Sequence, residues 1–450
     1  MTIAALLAKY DHRIPRYTSY PTAPHFSPAV TGADYGGWLR ALPDDSTLSL
    51  YLHVPFCESL CLFCACHTTI VHRPEPKLAY AGDLLKEIGL IRAAVGRALP
   101  VCQIHWGGGT PTCLPPGCMI AVMDLLRASF AFEPDAEIAV ELDPRTLTND
   151  VLDTLAHIGV TRASIGVQDF NPTVQRAINR HQDLDLTAHC AARLRTVGIT
   201  SLNLDLIYGL PHQTAESVAE TARQAMRLAP DRAAVFGYAH VPWMKKHQAL
   251  LPEAALPDAE ARFTQRQVIE DEIVSHGYLP VGLDHFARPD DSLARAAAMG
   301  LVRRNFQGYT TDKSSAILGI GASSIGSLPQ GYVQNHAAIP AWRDAVRAGR
   351  LPTARGIALS PADELRRAVI ERIMCSLEVD LRLEASRHGM AWESLMDAAP
   401  RLQDMARDGL VRWDGRTVTV TPAGKPFTRA VAAAFDTWLR PGETRHSAAV

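Results

Sequence analysis

The sequence predicts an α/β fold: a partial, TIM-like (β/α)6 barrel, preceded by an N-terminal arm and followed by a mostly helical, winged-helix-like C-terminal domain. Three observations carry this reading. Between residues 48 and 240, short β-rich apolar runs alternate with longer helical stretches, the pattern of βα units on a parallel sheet. The chemically distinctive residues fall at the ends of those runs, where the loops of such a barrel carry reactive groups. Beyond residue 350 the alternation gives way to helical periodicity and a hairpin.

Residues 1–47 make the arm. Its segment 15–23, PRYTSYPTA, is rich in Pro, Tyr and Thr and follows neither period, so an ordered but irregular arm is expected. Strands are expected at 48–53, 102–106, 137–142, 162–167, 201–207 and 233–238, with helices at 77–99, 116–130, 184–197 and 214–228. Cys57 follows the first strand and Gly107, Gly108 and Gly109 the second; Glu141 and Asp143 end the third and Gln168 the fourth. Asp205 lies within the fifth strand, and Ala239 and His240 follow the sixth. The barrel and its C-terminal extension are expected over 48–350, because a proline near 340 and the stretch 349–361 mark a boundary. In the C-terminal domain, 351–450, Leu365, Val369, Ile373 and Leu377 repeat at helical spacing. There VRWDGRTVTV reads as a hairpin through Asp414 and Gly415, and a helix is expected over 427–438.

At 450 residues the chain exceeds one ordinary core. Its formal net charge of -2 gives no global attraction to nucleic acid or anionic membrane, so an acidic ligand must be held by local Arg, Lys or His. The charges of the C-terminal domain are mixed in sign, which favours packing on the barrel over nucleic-acid binding. Nine cysteines, an odd count with four bunched together in a long chain, fit a reducing cytoplasm better than a disulfide framework. The start, MTIAALLAKYDHR, has no basic residue ahead of its short apolar run and reads as no signal peptide. No apolar run approaches the roughly 18 residues that a membrane helix needs.

Cys57, Cys61 and Cys64 follow the pattern C-x3-C-x2-C, with Cys66 two residues on. Three thiolates so close together can converge on one soft metal centre, and a cluster with three protein ligands keeps one iron open. Four cysteines can also close a zinc cage. Zinc knuckles usually come as two separated pairs, however, whereas here one compact group follows a barrel strand. The glycine triplet either makes a tight turn or lets backbone approach a ligand closely, and Glu141 by itself reads equally as a solvated strand-end carboxylate. The isolated Cys102, Cys113, Cys118, Cys190 and Cys375 read as buried or incidental thiols.

Taken together, the cysteine run, the glycine triplet and the six βα units resemble the radical S-adenosylmethionine (SAM) superfamily. The resemblance implies a [4Fe-4S] cluster on Cys57, Cys61 and Cys64, with the amino acid end of SAM on the fourth iron. An electron passed through that cluster would split SAM into methionine and a 5′-deoxyadenosyl radical, which requires the negative end of the roughly -700 to +450 mV range of such clusters. A narrower resemblance covers nearly the whole chain. PRYTSYPTA (15–23), YLHVPFC (51–57), HWGGGTPT (105–112), VQDFN (167–171), NLDLIYGLP (203–211), YAHVP (238–242), DHFARPDD (284–291), RNFQGYTT (304–311) and RGIAL (355–359) are similar to the oxygen-independent coproporphyrinogen III oxidase family.

That family resemblance implies oxidative decarboxylation of two propionates of coproporphyrinogen III to vinyls, giving protoporphyrinogen IX in haem biosynthesis, with two SAM molecules per chain. It assigns Tyr51, Gly108 and Glu141 to the cluster-bound SAM, with Gly108 and Gly109 at its amino group. Phe63, Gly109, Thr110, Gln168, Arg180, Asp205, Ala239 and Ile325 are assigned to the second SAM. Read alone, Asp205 is also a helix-cap candidate and Arg180 a surface side chain. The resemblance further implies a low-potential electron donor such as flavodoxin or ferredoxin; a cytoplasmic monomer is expected, with neither nucleic-acid nor membrane partners. A mobile arm bearing Arg16, Tyr17 and Tyr20 is expected to close over the barrel mouth, and Arg16, Arg288, Arg303 and Arg304 are the candidates to hold substrate carboxylates. Ala65, His67 and Gly237 depart from the family pattern of Gly, Asn and Asn. A haem chaperone relative, which lacks the PRYTSYPTA arm and the C-x-C continuation, and an enzyme for another tetrapyrrole are the alternative readings.

Overall fold

The computed structural model describes residues 2–439. Six parallel strands succeed one another in register: β1 (Leu48–Val54), β2 (Pro100–Gly108), β3 (Ala131–Leu142), β4 (Arg162–Gln168), β5 (Ser201–Tyr208) and β6 (Arg232–Gly237). Helices follow them with capping that matches the sequence. Thr148, Asp183 and Thr214 each accept a hydrogen bond from the first turn of the next helix, and Gly96, at φ 74°, ends the helix Pro74–Val95 short of the expected residue 99.

Alternation along β5 sets the two faces of the sheet. Leu202, Leu204 and Leu206 are buried in the main core, while Asn203, Asp205 and Ile207 on the opposite face are only partly covered. Burying an apolar side chain of this size stabilises the fold by roughly 1.5–3 kcal/mol. One face therefore fixes the register, and the other is left for polar groups.

The sheet extends well beyond these six strands. β8 (His285–Ala287) adds antiparallel to β6, β7 (Leu279–Val281) pairs antiparallel with β8 at the edge, and β9 (Ala316–Ile320) lies parallel to β1 as a seventh parallel strand. β10 (Ile325–Leu328), β11 (Gly331–Asn335) and β12 (Thr353–Ala358) continue it antiparallel, in the order β12-β11-β10-β9-β1-β2-β3-β4-β5-β6-β8-β7. The boundary expected at residue 350 thus falls inside the sheet, because β12 is its edge strand; the break comes at Ser360, which caps the helix Pro361–Ser376. Glu87 bolts this extension to the helix beneath it. Its buried carboxylate accepts from the Gly321 N–H at 2.7 Å, Asn335 Nδ2 at 2.6 Å and Trp342 Nε1 at 2.9 Å.

From Pro361 onward, helices enclose a three-stranded antiparallel sheet of β13 (Glu378–Asp380), β14 (Val411–Trp413) and β15 (Thr417–Val420), a winged-helix arrangement. The hairpin turns at Asp414 and Gly415 (φ 87°), with Asp414 Oδ1 accepting from the Arg416 and Thr417 N–H groups. The helix expected over 427–438 is only Thr428–Ala433, preceded by a short 3-10 turn. Residues 440–450 of the expected domain lie outside the described residues.

The arm is no free lid. Leu6, Leu7, Tyr10, Ile14, Tyr17 and Tyr20 are buried in the core of the C-terminal domain, where the Tyr17 hydroxyl donates to Asp436 at 2.9 Å. Aromatic side chains of this size are too costly to leave in water, so the segment is pinned rather than mobile. Among the described residues, no helix is long and apolar enough to cross a membrane.

Candidate active site

The loop from Cys57 to Ile70 is closed on itself by two short parallel strands, Phe56–Cys57 and Thr69–Ile70. The next strand end clamps it. Gly109 N–H donates to the Val54 carbonyl at 2.8 Å and Thr110 N–H to the Phe56 carbonyl at 2.7 Å. This close approach requires glycine. A Cβ at Gly109 would lie 2.5 Å from the Phe56 carbonyl oxygen, and one at Gly108 (φ +116°) 2.7 Å from the His53 ring.

Facing the loop is a cavity of about 180 Å³. It is lined by Cys57, Cys61, Phe63, Cys64, Gly108, Gly109, Thr110, Glu141, Gln168, Arg180 and Asp205 among the expected residues, together with Asp143, Arg145, Ser164 and Gly166. Tyr51 stands just behind it, its ring 3.0 Å from where a Gly107 Cβ would be. Ala239 and Ile325 are half-buried and lie outside this lining; Ile325 packs beside Phe306 and Tyr332.

Glu141 Oε1 accepts from His105 Nε2 at 2.9 Å and Oε2 from the Gly108 N–H at 3.1 Å. Burial opposes its charge, but these donors hold its carboxyl below the ordinary value. Tyr51 donates to His53 Nδ1 at 3.0 Å, and His53 Nε2 donates to the His67 carbonyl at 3.2 Å. Burial lowers His53 to about 4, so the ring is neutral and its tautomer is fixed by these two partners.

Arg145 and Arg180 both reach Cys61 Sγ at 3.6 Å, and the Thr110 hydroxyl reaches Cys57 Sγ at 3.6 Å. These donors offset negative charge on sulfur, as an anionic thiolate centre needs. The cysteine loop, its cationic donors and the open cavity beside it therefore fit a cluster with one exposed iron.

Asp205 accepts from the Ser164 hydroxyl at 2.9 Å and Asn203 Nδ2 at 2.8 Å. Burial pushes it up to about 6. Arg180 is held by the Gly166 carbonyl at 2.6 Å and Asp143 at 3.3 Å, yet its buried Nε has no hydrogen-bond partner. Gln168 between them has φ 70°, a left-handed conformation rare outside glycine.

Of the four arginines expected at the mouth, two come together. The Arg16 guanidinium donates to the Gly237 carbonyl at 2.9 Å, and Arg304 Nε donates to the Arg16 carbonyl at 3.3 Å. With Arg262, Arg266, Arg429 and Asp284 they line a small cavity of about 60 Å³. Arg303 lines a separate cavity of about 380 Å³ beside the arm. Arg288 lies at the opposite end of β6, bonded through its N–H to the Asp231 carbonyl and paired with the exposed Asp290. Gly237 departs from Asn for a visible reason: a side chain there would press on the Tyr208 hydroxyl at 2.9 Å. His67 donates through Nε2 to the Ala337 carbonyl at 2.6 Å, fastening the cysteine loop to the sheet extension.

Barrel, cysteine loop and glycine turn define a radical SAM protein, and the radical SAM superfamily model matches residues 51–225. The HemN C-terminal domain model matches residues 359–427. The oxygen-independent coproporphyrinogen III oxidase of Bradyrhizobium diazoefficiens is 51% identical over 440 residues, covering 98% of each chain. That of Paracoccus denitrificans is 44% identical, covering 99% of this chain and 98% of the relative. The solved coproporphyrinogen III oxidase HemN of Escherichia coli, described as a radical SAM enzyme, superposes with a TM-score of 0.90 at 38% identity, covering 95% of this chain and 100% of the other. The chain belongs to the oxygen-independent coproporphyrinogen III oxidase family.

Proposed function

We propose that this chain oxidatively decarboxylates two propionates of coproporphyrinogen III to vinyls, giving protoporphyrinogen IX for haem synthesis. One observation carries the reading: three cysteines, a side-chain-free glycine turn and Glu141 border one cavity, on a chain that aligns with these oxidases along nearly its whole length. When bound, a [4Fe-4S] cluster on Cys57, Cys61 and Cys64 with SAM at its open iron supplies the electron and the radical that takes hydrogen from the propionate carbon next to the ring. Glu141 is placed to accept from the SAM amino group, while Gly108 and Gly109 leave room for it. Tyr51, through His53, supports that wall from behind.

A second SAM per chain is part of the proposal. Asp205, buried with only neutral donors beside it, favours a ligand that brings its own donor hydrogens, and the unpartnered Nε of Arg180 favours one with an acceptor. Phe63, Thr110 and Gln168 complete that wall, with Ala239 and Ile325 further out. Arg16 and Arg304 are the proposed partners of a substrate carboxylate. The proposal also includes a low-potential donor such as flavodoxin or ferredoxin, and action as a cytoplasmic monomer.

The test is anaerobic turnover of iron-reconstituted protein with SAM, a strong reductant and coproporphyrinogen III, following protoporphyrinogen IX and 5′-deoxyadenosine together. Product from the wild type and none from Cys61→Ala is the expected result. SAM cleavage without vinyl formation would refute the substrate assignment.

A further inference from the structure

Segment 241–250 leaves the barrel after β6 and returns over the cysteine loop. It is fastened there through backbone carbonyls. Gln248 Nε2 donates to Phe63 at 2.9 Å, His247 Nε2 to Cys64 at 2.7 Å and Lys245 Nζ to Cys66 at 2.7 Å. The inner side of the segment is thus built against the residues around the third cluster cysteine.

Its outer side is unusual. Trp243 is 49%, Met244 62% and Leu250 71% exposed, which places three large apolar side chains on one ten-residue stretch. Lys246 is exposed among them, Lys245 and His247 are half-buried, and the Arg13 guanidinium lies 4.4 Å over the Trp243 ring. The nearby acidic group Glu253 is bonded to His240 at 3.1 Å. Exposed apolar side chains in one place mark an interaction surface, and Trp, Met and Arg are the residues enriched in such surfaces. The basic groups around them select a partner of opposite charge.

Accepting the reading of Cys57, Cys61 and Cys64 as cluster ligands, we propose that segment 241–250 is the docking platform for a small acidic one-electron carrier protein. Docked there, the carrier gives up one electron and the oxidised cluster gains it, with no atom transferred. Electron transfer falls steeply with distance, so the carrier must seat on the surface next to the thiolates. This platform touches the backbone of Phe63, Cys64 and Cys66 directly.

Lys246→Glu and Trp243→Ser test it, since neither side chain bonds to the cysteine loop. An acidic flavodoxin and an acidic ferredoxin serve as probes on the cluster-loaded full chain, with binding read by titration calorimetry and cluster reduction by stopped-flow absorbance. Binding is expected to weaken about tenfold in each variant, and reduction by the carrier to slow about tenfold with a flatter salt dependence in Lys246→Glu. Reduction by dithionite should stay within about twofold of wild type, because it needs no docking. Unchanged binding and rates with both carriers would overturn the proposal, as would an equal slowing with dithionite, which would locate the effect in the cluster itself. A wild-type protein whose cluster dithionite fails to reduce would sink the cluster reading and the platform with it.

Discussion

Asp205 is a partly covered carboxylate on the cavity wall, with Ser164 and Asn203 donating to it, and loss of water around it lifts it to about 6, above the ordinary aspartate range. A carboxyl raised in the folded state stabilises the fold at low pH, and that contribution is lost as pH rises through about 6. At neutral pH the ligand-free protein therefore carries a destabilising charge. Asp205→Asn should raise the melting temperature of the ligand-free protein near pH 7, by the equivalent of on the order of 1–3 kcal/mol, while weakening SAM binding. Differential scanning calorimetry with and without SAM checks both halves, and a variant that loses stability without ligand would contradict the account. Such a residue is legible from sequence only as a polar position within a strand; its cost becomes apparent when Leu204 and Leu206 are seen to face the opposite side. No sequence motif points to Arg145. It sits in the turn after β3, and only the folding of that turn against the cysteine loop brings it to Cys61.

At the scale of elements, the arm is tied to both the C-terminal domain and the barrel. Tyr17 reaches Asp436, and Arg16, beside it, reaches Gly237 at the end of β6. Removing residues 1–24 takes six apolar side chains out of the C-terminal core and should lower the melting temperature, as well as uncouple SAM cleavage from vinyl formation. Arg16→Ala separates the two effects, because Arg16 is exposed outside that core. It should keep the melting temperature and raise the ratio of 5′-deoxyadenosine to vinyl product, and an unchanged ratio would remove Arg16 from the mouth. PRYTSYPTA carries no periodicity, so the sequence alone announces an arm without saying where it packs. β1 to β6 are legible because each is an apolar run followed by a helix. β7 to β12 are not, since they are three to six residues long and antiparallel or, for β9, inserted next to β1 without a preceding crossover helix of its own.

At the scale of the whole molecule, the shared core predicts that the arm and the C-terminal domain unfold together with the barrel they are tied to. The N-terminal helix Ile3–Tyr10 contributes Leu6, Leu7 and Tyr10, and the rest of the arm Ile14, Tyr17 and Tyr20, to a core otherwise made by Phe263 and residues from Leu365 onward. Lys9 and Tyr10 both bond Asp408, each at 2.5 Å. Calorimetry of the full chain should show a single cooperative transition, and Leu7→Ala should shift it downward as a whole, by roughly 2–5 kcal/mol. Two resolved transitions, with only the later one moving, would mean that the barrel and the C-terminal domain are energetically independent.

That same closure has a consequence for synthesis on the ribosome. The first helix to emerge packs on Phe263 and on residues beyond 365, so it must wait, unsheltered, while the barrel forms behind it. A chain interrupted before Asp408 leaves that helix without its anchor, which makes an unfinished product recognisable to chaperones and proteases by its own beginning.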